Sequence, residues 1–169
     1  MSGYAPTAIY GIGYHGSTLP PGSPGLGTEM DIGGASEPYT GTGRARLVLA
    51  GANIAAGDAL NYTATDTVQP TSAAANTCVG VNDLSGFGPN QAAGGVAVAS
   101  GEYFWMNVGG PCQVKMAASI AIGDPITPSA VAGTLGAYTP GGTATVLQNS
   151  NIVATAASGA GGVTTARQF

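Results

Sequence analysis

Ala52-Asn53-Ile54-Ala55-Ala56-Gly57-Asp58-Ala59-Leu60 returns 66 residues later as Ala118-Ser119-Ile120-Ala121-Ile122-Gly123-Asp124-Pro125-Ile126, with five of the nine positions identical. In both copies an apolar step enters a Gly-Asp pair and an apolar residue leaves it. Glycine takes positive φ without steric cost, and aspartate accepts bonds from neighbouring backbone amides, so Gly-Asp marks a turn between two strands. The repetition predicts two equivalent corners of a pseudo-symmetric β-structure, with Gly57, Asp58, Gly123 and Asp124 as turn residues. Neither phrase supplies a nucleophile with its base, or a metal cage. The repeat speaks of architecture.

Working outward from the corners, the pattern is strand, turn, strand. Arg44–Ala50 leads into the first corner and Ala59–Thr63 leaves it. Thr77–Val81 and Gly95–Ala99 are short strand candidates. Glu102-Tyr103-Phe104-Trp105-Met106-Asn107-Val108 is the strongest, rich in the aromatics that sheets favour. Alternation puts Phe104, Met106 and Val108 on one face and Tyr103, Trp105 and Asn107 on the other, so both faces are expected to be covered. Gly109-Gly110-Pro111 is expected to break this strand, with Cys112–Met116 returning as a hairpin partner. Ile126-Thr127, Val131–Leu135, Thr143–Leu147 and Ile152–Thr155 complete the set. No window shows a capped helical period, although 73–75 and 117–122 are Ala-rich enough for one turn each. Strands of this length and spacing predict an all-β fold, a small sandwich or barrel.

Residues 1–43 read differently. They hold eleven glycines, five prolines and the tyrosines Tyr4, Tyr10, Tyr14 and Tyr39. Pro20-Pro21-Gly22-Ser23-Pro24-Gly25 forbids helix and interrupts any strand. Tyrosine is a favoured contact residue at interfaces, so the segment is read as an extended arm that orders on a partner. The expected division is an arm at 1–43 and a β-rich domain at 44–169.

Composition narrows the function. The 169 residues are 44% hydrophobic but only 7% charged, against roughly 25% in an ordinary soluble domain. A lone subunit would have a weakly self-repelling, poorly solvated surface, which predicts burial against copies of itself or a larger partner. The basic residues are Arg44, Arg46, Lys115 and Arg167, and the net charge is −4; nucleic acid is not an expected partner. No stretch approaches the ~20 apolar residues of a membrane span. The N-terminus lacks the basic and apolar regions of a signal peptide, so none is expected. Cys78 and Cys112 make no disulfide framework and are read as buried free thiols.

Candidate chemistry weakens on inspection. Gly11-Ile12-Gly13-Tyr14-His15-Gly16 matches the dinucleotide fingerprint G-x-G-x-x-G, but Ser17-Thr18-Leu19-Pro20-Pro21-Gly22 follows where a helix must open. Lys115 lacks the preceding glycine of a phosphate loop. His15 is the one histidine, so no Ser-His-Asp or Cys-His arrangement forms outside the arm. Two cysteines and one histidine show no zinc spacing. Asp58 and Asp124 invite a paired-carboxylate reading, yet turn capping explains both. Asn61-Tyr62-Thr63 fits a glycosylation sequon and, without a secretory signal, is given no role. Arg44 and Arg46 share a strand face, suited to pairing with acids on a partner or to a solvated edge. No cofactor or metal is expected, and no enzymatic activity. The enzymatic competitor is a depolymerase using carboxylates such as Asp58, Asp66 or Glu102.

Ala97-Val98-Ala99-Ser100-Gly101-Glu102-Tyr103-Phe104-Trp105, the return through Cys112-Gln113-Val114, and Ile122-Gly123-Asp124-Pro125-Ile126-Thr127 resemble the capsid cement, or head decoration, proteins of tailed bacteriophages. Gly57-Asp58 fits the same rhythm. The resemblance covers residues 44–135 and continues weakly to about 155. It implies a non-enzymatic protein, a homotrimer on the outside of an icosahedral shell at or near its three-fold positions. There it would tie neighbouring copies of the major capsid protein together against the pressure of packaged DNA. The implied location is the virion, after synthesis in the host cytoplasm, with no small-molecule substrate, nucleic acid or membrane as partner. Aromatic character selects Tyr4, Tyr10, Tyr14 and Tyr39 as contact residues, then whichever of Phe104 or Trp105 faces outward, and Phe169. The alternative is a virion fibre or surface module that binds a host receptor or glycan.

Overall fold

A computed structural model of the chain describes residues 16–19, 21–34, 41–72, 77–82, 97–138, 152–154, 159 and 162–168. These residues form an all-β structure of ten strands: β1 (Glu29–Gly34), β2 (Gly41–Ala50), β3 (Ala59–Ala64), β4 (Thr67–Pro70), β5 (Gly80–Val81), β6 (Tyr103–Lys115), β7 (Ile126–Pro128), β8 (Leu135–Ala137), β9 (Ile152–Ala154) and β10 (Val163–Gln168). The large sheet runs β1-β2-β4-β3-β5-β6-β10-β9, and β7 and β8 pair separately. An additional pairing of β2 with β6 closes the circuit β2-β4-β3-β5-β6. Closure makes the first half of the domain a small barrel rather than an open sandwich. All its pairings are antiparallel except β2 with β4, where Leu49 and Ala50 lie beside Thr67 and Val68.

Strand periodicity fills the barrel. Val48 and Ala50 of β2, Leu60 of β3, Val68 of β4, and Phe104 and Met106 of β6 converge in one buried cluster with Ile54 and Val98. On the opposite face of the β2–β6 pair, Ala45, Leu47 and Trp105 pack beneath Leu19, Met30 and Tyr103. β6 is therefore covered on both faces, as its sequence predicts. Phe104 and Trp105 are at 0% and 1% exposure; each fully buried large side chain contributes roughly 1.5–3 kcal/mol or more of transfer free energy.

The second half repeats several of the first half's bonds. Gly51 donates to Val68 and Ala117 to Leu135; Gly57 donates to Asn82 and Gly123 to Ala154; Asn82 donates to Asp58 and Ala154 to Asp124; Ala50 donates to Glu102 and Met116 to Gly162. Val81 sits opposite Asn107, and Val153 opposite Arg167. Thus β6 from Gly110 onward, β7, β8, β9 and β10 correspond to β2, β3, β4, β5 and the first part of β6. Their apolar side chains meet in a second cluster that includes Val114, Met116, Ile120, Ile126, Leu135 and Ala154. The described residues thus form two tandem copies of one small barrel-like unit, the first closed by strand pairing and the second with β7 and β8 as a separate pair, and β6 belongs to both.

Three expectations are corrected. Gly109-Gly110-Pro111 does not turn the chain back: β6 is continuous from Tyr103 to Lys115. Its first part pairs with β2 and its second with β10. The glycines instead accommodate a register shift opposite Arg44 and Ala45, with Gly110 at φ 85. The boundary at 43/44 falls inside β2, and Glu29–Gly34 pairs along its length with Arg46–Gly41. Gly16 also bridges Tyr103, so the described part of the N-terminal region is woven into the domain. Finally, the segment 131–134 is a turn rather than a strand, and β8 begins at Leu135. The candidate strand Thr143–Leu147 lies outside the described residues.

Candidate interaction surface

The two Gly-Asp corners have one geometry. Gly57 and Gly123 sit at φ 81 and 88, in the left-handed region that a Cβ disfavours. One residue on, Asp58 Oδ2 accepts from the Ala55 amide at 2.7 Å and Asp124 Oδ2 from the Ala121 amide at 2.9 Å. Each carboxylate thus satisfies the backbone of its own turn. The surroundings differ. Asp58 is buried, and its Oδ1 accepts from Lys115 Nζ at 3.0 Å. The Lys115 amide donates to the Gly57 carbonyl at 3.0 Å, and the Ala59 amide to the Gly133 carbonyl at 2.8 Å. Gly133, at φ 73, lies so close that an added Cβ would stand 2.6 Å from Asp58 Oδ1. The second barrel is seated on the first barrel's corner through these contacts.

Four other charged residues gather at one end of β2. Arg46 donates to Asp66 Oδ1 from Nε at 3.1 Å and Nη2 at 2.6 Å, and to Glu29 Oε1 from Nη1 at 3.3 Å. Arg44 pairs with Glu29 Oε2 at 3.6 Å. The bond to Asp66 raises the pKa of the Arg46 guanidinium, against the opposing pull of burial. The same guanidinium lies 5.8 Å from the Tyr62 ring centre; burial pushes the phenol up and the Arg46 charge pulls it down. The two arginines therefore meet acids of their own chain, and they fasten β1 to the barrel.

Of the aromatic contact residues selected from sequence, Phe104 and Trp105 are buried inside the subunit and neither is available to a partner. Alternation identified their two faces correctly; the covering of the Trp105 face by Leu19 and Met30 came from a segment read as an extended arm that orders on a partner. Tyr4, Tyr10, Tyr14, Tyr39 and Phe169, with His15, lie outside the described residues. Asp58, Asp66, Glu102 and Asp124 are spread over different turns: Asp66 serves Arg46, and Glu102 accepts from the Ala99 amide at 2.8 Å. Among the described residues no three His, Cys, Asp or Glu side chains form a group that could hold a metal ion. Cys78 and Cys112 are buried free thiols. Sequence reading missed the roles of Lys115 and Gly133, which depend on contact between the two barrels and leave no local signal. Ile122, on the second corner, is 70% exposed.

No family model matches the chain, and no curated protein does. Among solved structures it is similar to the N base of head fiber gp8.5 of bacteriophage phi29. The two are 19% identical with a TM-score of 0.47, over 74% of this chain and 92% of that one.

Proposed function

We propose that the protein is a structural component of a bacteriophage virion that attaches to the outside of an icosahedral capsid and bridges neighbouring capsid subunits. The carrying observation is how the few charges are used. Glu29, Arg44, Arg46 and Asp66 neutralise one another at one end of β2, and Asp58 and Lys115 do so between the barrels. Of the other six charged residues, five are acids, with Asp31 exposed and Glu102 and Asp124 half-buried, so what remains outside is a sparsely ionised, net acidic skin suited to being covered by protein. A lattice of capsid subunits offers repeated sites, and a homotrimer would engage it at several points, so modest contacts multiply. The resemblance of residues 44–135 to the cement proteins adds to this reading.

Phage heads assembled without the protein provide the test. Purified chain should co-sediment with them, and cryo-electron microscopy should place it in high copy on the shell lattice. Density confined to a vertex or to the tail would favour a receptor-binding module instead. Absence from the particle would end the proposal.

A further inference from the structure

β1 and the first Gly-Asp corner stand on corresponding edges of the two barrels. β2 and the second part of β6 are equivalent strands, and in each the same edge is covered. The Leu47 amide donates to the Thr28 carbonyl at 2.9 Å, and the Lys115 amide to the Gly57 carbonyl at 3.0 Å. Beside each bond a left-handed glycine lies under a carboxylate. An added Cβ on Gly27, at φ 81, would stand 2.7 Å from Asp66 Oδ2, as one on Gly133, at φ 73, would stand 2.6 Å from Asp58 Oδ1. Each carboxylate also meets a cation of the covered strand, Asp66 with Arg46 at 2.6 Å and Asp58 with Lys115 at 3.0 Å. Asp66 and Gly133 are counterparts, preceding the equivalent residues Val68 and Leu135 by the same step. The two seams are therefore one arrangement with the carboxylate and the glycine exchanged.

β1 thus does for the first barrel what the first barrel does for the second. Its composition suits the edge position that it holds in the sheet. Glu29 and Asp31 are exposed, whereas Met30 is half-buried and packs with Leu19 over Ala45, Leu47 and Trp105. Charged residues on the outer side of an edge strand oppose edge-to-edge pairing, and tandem arrays stay soluble when polar caps close them. Without β1, β2 would present unpaired backbone groups beside the apolar face of Leu47 and Trp105. Two such edges satisfy each other by antiparallel pairing about a two-fold axis. Glu29 is also the counter-charge of Arg44 and Arg46. Unseating it would leave cations that repel across such a pair at low salt and are screened at 1 M.

We infer that β1 is a cap, and that its seated position holds back pairing of the β2 edge with a second copy of the chain. The partner kept out is defined by its chemistry: an identical strand edge with the same apolar face. The cap is held by the fit of Gly27 beneath Asp66 and by Glu29 between the two arginines. Either contact can be loosened without touching the barrel core.

The test uses the full chain in 1 M sodium chloride, with Gly27→Val and Glu29→Lys compared with Gly22→Val. Gly22 has the same φ of 81 but nothing within 4 Å of an added Cβ, so it carries the backbone strain without the seam. Hydrogen exchange at the Leu47 amide reads the opening of β1, exchange at β6 amides reads the integrity of the barrel, and light scattering reads the mass of the assembly. The expected result is Leu47 exchange faster by roughly tenfold or more in Gly27→Val, with β6 amides still protected. The mass should rise above the wild-type value with protein concentration, while Gly22→Val matches wild type in all three readouts. Should Gly27→Val lose β6 protection, Glu29→Lys, which leaves the backbone unstrained, decides on the same readouts. An exposed Leu47 amide at unchanged mass overturns the inference, because the open edge would then not draw in a copy. Leu47 protected as in wild type in both variants also overturns it, because the seam would not be what holds β1. Loss of β6 protection in both overturns it too, since β1 would then be part of the barrel rather than a cap on it.

Discussion

Asp58 and Asp124 perform the same turn bond in two settings, which separates capping from coupling. Replacing Asp124 by Ala removes one charge-assisted bond to a backbone amide at a partly exposed site, with an expected cost of about 1–2 kcal/mol. Asp58→Ala removes the corresponding bond and also leaves Lys115 without its partner, so roughly twice that loss is expected. Urea unfolding of both variants measures the difference; equal losses would show that the ion pair adds nothing. A second residue-scale expectation concerns Cys78. Burial pushes its thiol up to about 11, from 9.0 in the unfolded chain. A group raised on folding stabilises fully below its unfolded pKa and loses that contribution as pH rises through the folded one. Stability should therefore decline between pH 9 and about 11, with Tyr62, also raised, adding to the slope. Cys78→Ala should flatten the decline relative to wild type in melting temperatures taken across that range.

β6 shows at the level of elements what the sequence discloses and what it withholds. The alternation of Tyr103–Val108 predicted two covered faces, because side-chain direction in a strand is a local property. The continuation through Gly109-Gly110-Pro111 was misread as a hairpin, because glycine and proline punctuate chains locally while the partner of each half is set at long range. β1, β4 and β10 escaped notice for related reasons. β1 ends in two glycines inside a Pro- and Gly-rich region, β4 ends in Pro70, and β10 carries Ala-Arg-Gln with little strand preference. The corners were legible because their chemistry is contained within four residues. The seating of one barrel on the other was not, since Lys115 and Gly133 meet Asp58 only in the folded chain. Gly133→Ala tests that seating. Its Cβ would meet Asp58 Oδ1 at 2.6 Å, and the backbone sits at φ 73. Strain of this kind costs on the order of 1–3 kcal/mol, visible as a lower urea midpoint. Wild type should unfold in one transition, because β6 gives both barrels a common strand; a second transition in Gly133→Ala would mean that their coupling runs mainly through this contact.

For the whole molecule the governing fact is where ionised groups are spent. Chains with a charged surface attach to partners through contacts that salt screens, since the Debye length shrinks from ~10 Å at 0.1 M to ~3 Å at 1 M. Here Arg44, Arg46, Glu29 and Asp66 are committed to holding β1, and Lys115 and Asp58 to joining the barrels. The attachment proposed above would be made mainly by the sparsely ionised surface that is left, and so be governed largely by apolar burial. Excluded salts such as sulfate strengthen apolar burial. Head binding by the wild-type chain should therefore change by less than about threefold between 0.1 and 1 M sodium chloride, and tighten when sulfate replaces chloride. Co-sedimentation across that series reads both effects directly. A steep loss of binding with sodium chloride would assign the attachment to charged groups, the half-exposed Arg44 at the end of β2 among them.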